Sequence, residues 1–245
     1  MVRRLVAPLI ALIAIVLFTY VVVSKPSASA SPQELTVISR TKGSEVLTAQ
    51  VIGNEVKIRL KNNHRDTITA FAISLNGTTL KVDFAYSGVN LGIEPEETYE
   101  TTIDFSPSPT GELPTLHLLT VLLKNGARDG NLKVAREIED VRLGEKIQIL
   151  RTLRILEKQG KDLKTIKSDI EAALNAGELE TLSTLKELQP TRNDSKLSDE
   201  VRHGLQWGRE TLQHRLEAIE QLPSESQEHA LIRLKERSQF VLAKL

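Results

Sequence analysis

Between Glu34 and about Lys124, apolar and polar residues alternate with a period of two. The clearest runs are Val56 to Asn62 (VKIRLKN), Thr67 to Ser74 (TITAFAIS), Thr79 to Tyr86 (TLKVDFAY) and Thr98 to Phe105 (TYETTIDF). Such alternation in β-branched sequence puts one face of a strand on a core and the other in water. Turn-forming clusters separate the runs: Asn62 to Asp66, Asn76-Gly77, Pro95-Glu96-Glu97 and Pro107 to Gly111. Short strands joined this way predict an antiparallel two-sheet sandwich, with Val56, Ile58 and Leu60 facing the core and Ile68, Ala70 and Ala72, or their alternates, packing from the next strand. Leu116 to Leu123 is apolar almost throughout, which predicts a central strand covered on both faces.

From Leu132 the period lengthens. Ile149, Leu153, Leu156, Leu163, Ile170 and Leu174 recur at helical spacing, as do Val201, Leu205, Leu212, Ile219 and Leu222. Asn175-Ala176-Gly177 reads as a helix stop with a left-handed glycine, giving a helical hairpin. Gln189 to Leu197 reads as an exposed connection and Ser198 as a helix start. After Pro223, Ser224 and Gln227 form an S-x-x-Q capping box for a last helix bearing Leu231, Leu234, Val241 and Leu245. We expect three to five amphipathic helices, packed on the sandwich or on one another.

The N-terminus follows neither pattern. Arg3 and Arg4 precede an uncharged run from Leu5 through Phe18 and Tyr20 to Val23, close to the roughly 20 residues a helix needs to cross a bilayer. The basic residues before it predict a single-pass segment with its N-terminus cytoplasmic and its C-terminus outside. Ala28-Ser29-Ala30 also matches a signal-peptide cleavage pattern, so a retained anchor and a cleaved signal, releasing a secreted or periplasmic protein after Ala30, both stay open. Three regions follow: an anchor or signal with a short linker over 1–33, a β-sandwich domain over 34–131 and a helical region over 132–245. The fold class is α+β.

The order of a strand closed by Asn62-Asn63, a strand ending at Asn76-Gly77, and Ile93-Glu94-Pro95-Glu96-Glu97 leading into another strand resembles the immunoglobulin-like modules of exported bacterial proteins, including FxLYD-type domains. In those modules an Asn closes the strand with the V-x-L-x-N pattern and a Pro-Gly-Glu turn precedes a later strand. Here Glu96 stands in place of the glycine, and the Tyr-Asp of FxLYD is missing. The resemblance spans about 70 residues. It implies an Ig-like sandwich with a binding or spacer role, and no site residues.

Composition narrows the chemistry. Lys+Arg and Asp+Glu are 32 each, which argues against nucleic acid as a partner. Without cysteine there is no disulfide, lipidated cysteine, thiolate zinc site or cysteine nucleophile. No G-x-S-x-G, Walker A or dinucleotide motif is present. Asn125-Gly126-Ala127-Arg128-Asp129-Gly130-Asn131 alternates Asx and glycine like a calcium loop, but Arg128 sits inside it and Arg136 holds the twelfth position, so a connecting loop is the favoured reading. His203 and His214 lie about 16 Å apart along one helix, too far to share a metal. His64, His117 and His229 lack metal-ligand spacing. Asn76-Gly77-Thr78 and Asn193-Asp194-Ser195 match a glycosylation acceptor pattern that matters only in a eukaryotic source.

Trp207, the single tryptophan, sits between two glycines in Gly204-Leu205-Gln206-Trp207-Gly208. Each glycine weakens a helix by about 1 kcal/mol relative to alanine, so close packing or a contact surface should explain them. Core packing is the favoured place for Trp207, and a partner surface the alternative. No cofactor is implied. The expected function is a membrane-tethered or exported protein-interaction module of the cell envelope, held at a membrane by the N-terminal helix and binding a protein partner or itself. A hydrolase with a site at the sandwich-helix junction and a structural spacer are the alternatives.

Overall fold

Nine strands come first and five helices follow, among the residues the computed structural model describes: 31–86, 92–104, 112–158, 163–192 and 194–245. The segment carrying Leu5, Phe18, Tyr20 and Val23, the Ala28-Ser29-Ala30 pattern and Pro107 to Gly111 lie outside these residues. No described helix is long and apolar enough to cross a membrane.

The strands are β1 (Gln33–Glu34), β2 (Thr36–Ser39), β3 (Ser44–Ile52), β4 (Glu55–Asn62), β5 (Ile68–Leu75), β6 (Thr78–Asp83), β7 (Thr98–Asp104), β8 (Thr115–Leu123) and β9 (Arg128–Gly130). One sheet has the order β1-β3-β4-β7; the other has β2-β8-β5-β6, with β9 also paired to β8. The sheets pack face to face as predicted. Val51, Val56, Ile58 and Leu60 meet Phe71, Ile73, Leu116, Leu118 and Val121 in one core. The expectation of a wholly antiparallel sandwich needs correction, because β2 runs parallel to β8 from Thr36 opposite Thr115 to Ser39 opposite Leu118. The chain enters on the first sheet and changes sheets at Leu35, whose N–H still bonds Ala49 O. It then follows the edge of β8 in the direction it already has.

Turn chemistry sets the other connections. Asn76 and Gly77 take φ of 51° and 78°, as a tight β5–β6 hairpin demands. The strand expected to reach Tyr86 stops at Asp83, whose Oδ1 accepts the Ala85 N–H, and Phe84–Tyr86 forms a 3-10 turn. Fully buried Asn62 donates through Nδ2 to Asp66 O and Ile93 O and accepts the His64 N–H, tying two turns together. Glu96 takes φ of 64°, the left-handed conformation that glycine favours.

The helices are α1 (Leu132–Leu156), α2 (Leu163–Leu174), α3 (Glu178–Leu188), α4 (Asp199–Glu220) and α5 (Ser224–Leu242). Asn131 caps α1 by accepting the Lys133 and Val134 N–H groups. Gly130 holds φ of 103° just before it, with Leu119 O only 2.3 Å from where a Cβ would stand. The segment Asn125 to Asn131 is therefore the strand-to-helix connection. Among the described residues no group of three or more His, Cys, Asp or Glu side chains could hold a metal ion. The first turns of α1 cover the second sheet, with Ala135 and Ile138 on Ala70, Ala72, Leu119 and Leu122. This explains why β5 and β8 are apolar on both faces.

The rest of α1 runs into the helical bundle, where Ile155, Ile166, Ile170, Leu212, Leu216 and Leu234 share one core and Leu143, Ile147, Leu185 and Val201 another. Two predicted helix ends are corrected. Gly177 is not a left-handed stop but the extended N-cap of α3, with φ of −65° and ψ of 167°. Ser224 makes no capping box, because Pro223 is the N-cap of α5 and Gln227 turns back to donate to Glu220 O and Leu222 O at the end of α4. Ser198 caps α4 as expected, by accepting the Val201 N–H.

The connection from Gln189 to Leu197 is mostly exposed but anchored at both ends. Leu197 is buried, and Arg192 makes two hydrogen bonds to Asp140 of 2.6 and 3.0 Å while also pairing with Asp194. Burial alone would raise the Asp140 pKa. The hydrogen bonds from Arg192 and Ser198 and the charges of Arg192 and Arg136 outweigh it and hold the carboxyl below the ordinary aspartate range. A depressed carboxylate stabilises the fold above its unfolded pKa, and that share is lost as pH falls through the folded value. The urea midpoint of Asp140→Asn should therefore lie below wild type at pH 7. The gap should close below about pH 4. An equal gap at pH 7 and pH 3 would contradict this assignment.

Candidate functional site

Trp207 lies on α4 one residue before Gly208. Gly204 and Gly208 face α1: a Cβ on Gly204 would stand 2.0 Å from Val141 O, and one on Gly208 3.1 Å from Gln148 Cβ. From the other side, a Cβ on Gly144 would stand 2.2 Å from Val201 O. The two backbones thus cross in direct contact, which accounts for the glycines. A residue 100° round the helix from Gly208 points away from that crossing. Trp207 is accordingly 51% exposed, correcting its favoured placement in the core. Its ring meets His203 edge to face at 6.4 Å.

The indole borders a groove of about 230 Å³ between α1, α4 and α5, with Ile149, Leu212 and Val241 supplying apolar walls. Glu145, Arg215 and Arg237 also line it. Burial, and next the like charge of Arg237, lower the Arg215 pKa, while Glu145 opposes them. Two guanidiniums and one carboxylate thus border an apolar trough. Phe240, the neighbour of Val241, is also half exposed and carries the Lys244 ammonium 3.9 Å above its ring.

The sandwich-helix junction holds a larger cleft of about 630 Å³. Arg142 on α1 reaches the sheet there, donating from Nε and Nη2 to Asp83 at 2.7 and 2.8 Å and from Nη2 to Thr69 O at 2.9 Å. Arg128 clasps Glu139 with two bonds of 2.7 Å. Lys124 and Lys146 add positive charge without an ion pair among the described residues. One hydroxyl-carboxylate pair lines the cleft, Thr67 Oγ1 donating to Glu94 Oε2 at 2.8 Å. An activated nucleophile needs a base that is itself oriented by a third group, and no described side chain orients the Glu94 carboxylate.

Comparison of the chain with protein-family models, with curated proteins and with solved structures returns no match.

Proposed function

We propose that the protein is a membrane-tethered or exported interaction module of the cell envelope, located by its N-terminal apolar segment and contacting a protein partner or a second copy through the Trp207 groove. The half-exposed indole at the edge of an apolar trough carries this reading. Tryptophan and arginine dominate the residues that supply binding energy at protein interfaces, and the groove offers Trp207 beside Arg215 and Arg237.

The sandwich is proposed as Ig-like. Two observations support the family resemblance: Asn62 is the buried clamp at the end of its strand, and Glu96 is left-handed where the related modules have glycine. Hydrolysis in the junction cleft ranks second, because the cleft exists but Arg128 occupies Glu139 and, among the described residues, Thr67 donates to Glu94 alone.

Full-length protein recovered from its own envelope should bring down a stoichiometric partner or a second copy. Trp207→Ala should weaken that association by about thirtyfold or more, the loss of roughly 2 kcal/mol typical of such a residue. Because the side chain is half exposed, stability should change by less than about 1 kcal/mol. A variant that retains its partner at wild-type level would overturn the assignment of the groove.

A further inference from the structure

A third cavity, of about 330 Å³, opens between the α2–α3 connection, α1 and α4, and its lining is rich in polar and charged side chains. On its α1 side lies Arg151, only 5% exposed. Burying a guanidinium is strongly unfavourable unless an opposite charge or a full set of hydrogen bonds compensates it. Arg151 has neither. Its Nη2 donates to Thr181 Oγ1 at 2.9 Å and its Nη1 to Gln148 Oε1 at 3.3 Å, but Nε has no partner and no carboxylate forms an ion pair with it among the described residues. Burial, first of all, and the like charge of Arg154 lower its pKa, while Glu180 opposes them without forming an ion pair.

Its surroundings continue the same polarity. Arg209 lines the cavity from α4 and uses Nη1 on Asn175 Oδ1 at 3.2 Å. Arg202 also lines it, and neutralises Glu178, the one lining carboxylate, whose Oε1 accepts from Arg202 at 2.8 Å and from the Leu197 N–H at 3.1 Å. The N-terminus of α3 adjoins the cavity, and its N-cap, Gly177, offers no side-chain acceptor to the first N–H groups. N–H groups at a helix start favour an anion, and in this first turn Glu178, already bound to Arg202, and Glu180 share that field. Gln148 gives Arg151 a neutral acceptor and no charge: its oxygen accepts from Arg151, and its amide donates to Leu174 O and Leu205 O. Three arginines thus line the cavity with one carboxylate, Glu178, that is already paired, and Glu180 acts on Arg151 from outside the lining.

We infer that this cavity binds a small oxyanion, a phosphate or carboxylate compound, between Arg151 and Arg209 beside the start of α3. The volume lies at the small end of ligand sites. Planar guanidinium forks are suited to two-point recognition of either group.

The test uses full-length protein in detergent, titrated calorimetrically with inorganic phosphate and with succinate at constant ionic strength, with chloride as the reference. Saturable one-to-one binding of at least one probe is expected, and the probe that binds tells a phosphate site from a carboxylate site. Arg209→Gln should weaken it at least tenfold, because a charged hydrogen bond is lost. Arg151→Met should abolish it. Arg209 is partly exposed, so its variant keeps the test decisive if Arg151→Met fails to fold. Lys146→Gln, in the junction cleft, should leave the affinity unchanged. No saturable binding beyond chloride, equal affinity in wild type and Arg209→Gln, or a loss in Lys146→Gln would each overturn the inference.

Discussion

Replacing Gly204 by valine is expected to destabilise the helical region by about 3 kcal/mol or more, measured as a fall in urea midpoint with loss of helical circular dichroism. The obstacle is backbone. The added Cβ would meet Val141 O at 2.0 Å and Val141 C at 2.8 Å, and no rotamer change moves a carbonyl. Either α4 retreats from α1 along its length, stripping contacts from Val201 and Leu212, or the helices unwind locally. Gly144→Val should do the same from the opposite side, since its Cβ would meet Val201 O at 2.2 Å. The two changes strike one crossing, so the double variant should cost less than their sum. Gly177→Ala serves as the control, because nothing lies within 4 Å of its Cβ and its φ is negative.

Arg142→Ala should cost a comparable amount, about 3 to 5 kcal/mol, because it strands the largely buried Asp83 carboxylate without its ion-pair partner. Thr69 O loses a donor as well. Arg142→Met combined with Asp83→Asn removes both charges while keeping most of the volume, and should recover much of that loss. The clamp joins α1 to the second sheet, so sheet and bundle should unfold in one transition in wild type. In Arg142→Ala the bundle should become accessible to protease before the sandwich. Coincident proteolysis of both regions in the variant would contradict that role.

What could be read from the sequence follows from how locally each feature is determined. β4 shows its alternation plainly because one face meets the core while Glu55, Lys57 and Arg59 meet water. β3 shows no such alternation, for an equally local reason. Its register shifts between Val46 and Thr48, so the inward phase changes within the strand and the period of two is lost. Leu47 is left partly exposed at the bulge. β9 and the parallel edge of β2 exist only through pairing with β8, which no local pattern announces.

At the helices, the capping signal around Ser224 was present but outcompeted, since Gln227 satisfies orphan carbonyls at the end of α4 instead. The glycines flanking Trp207 signalled a close approach. Which face of the helix they marked, and hence that Trp207 lies off it, depended on Gly144 sixty positions earlier in the chain. The Arg142–Asp83 clamp spans 59 residues, and Arg151 meets Thr181 across 30. Long-range pairs of ordinary charged and polar residues leave no trace in spacing. Sequence reasoning could have flagged only that Arg151 falls on the apolar stripe of α1 between Ile147 and Ile155.

The central claim is that the Trp207 groove is a contact surface in the envelope. It is tested most directly by placing a photo-cross-linking residue at position 207 of the full-length chain in its native membrane, with the same residue at Leu179 as an 85% exposed control. The account predicts one discrete adduct from position 207, of fixed size and absent from position 179. Its mass would distinguish a second copy from a different protein. No adduct from position 207, or the same diffuse products from both positions, would contradict it.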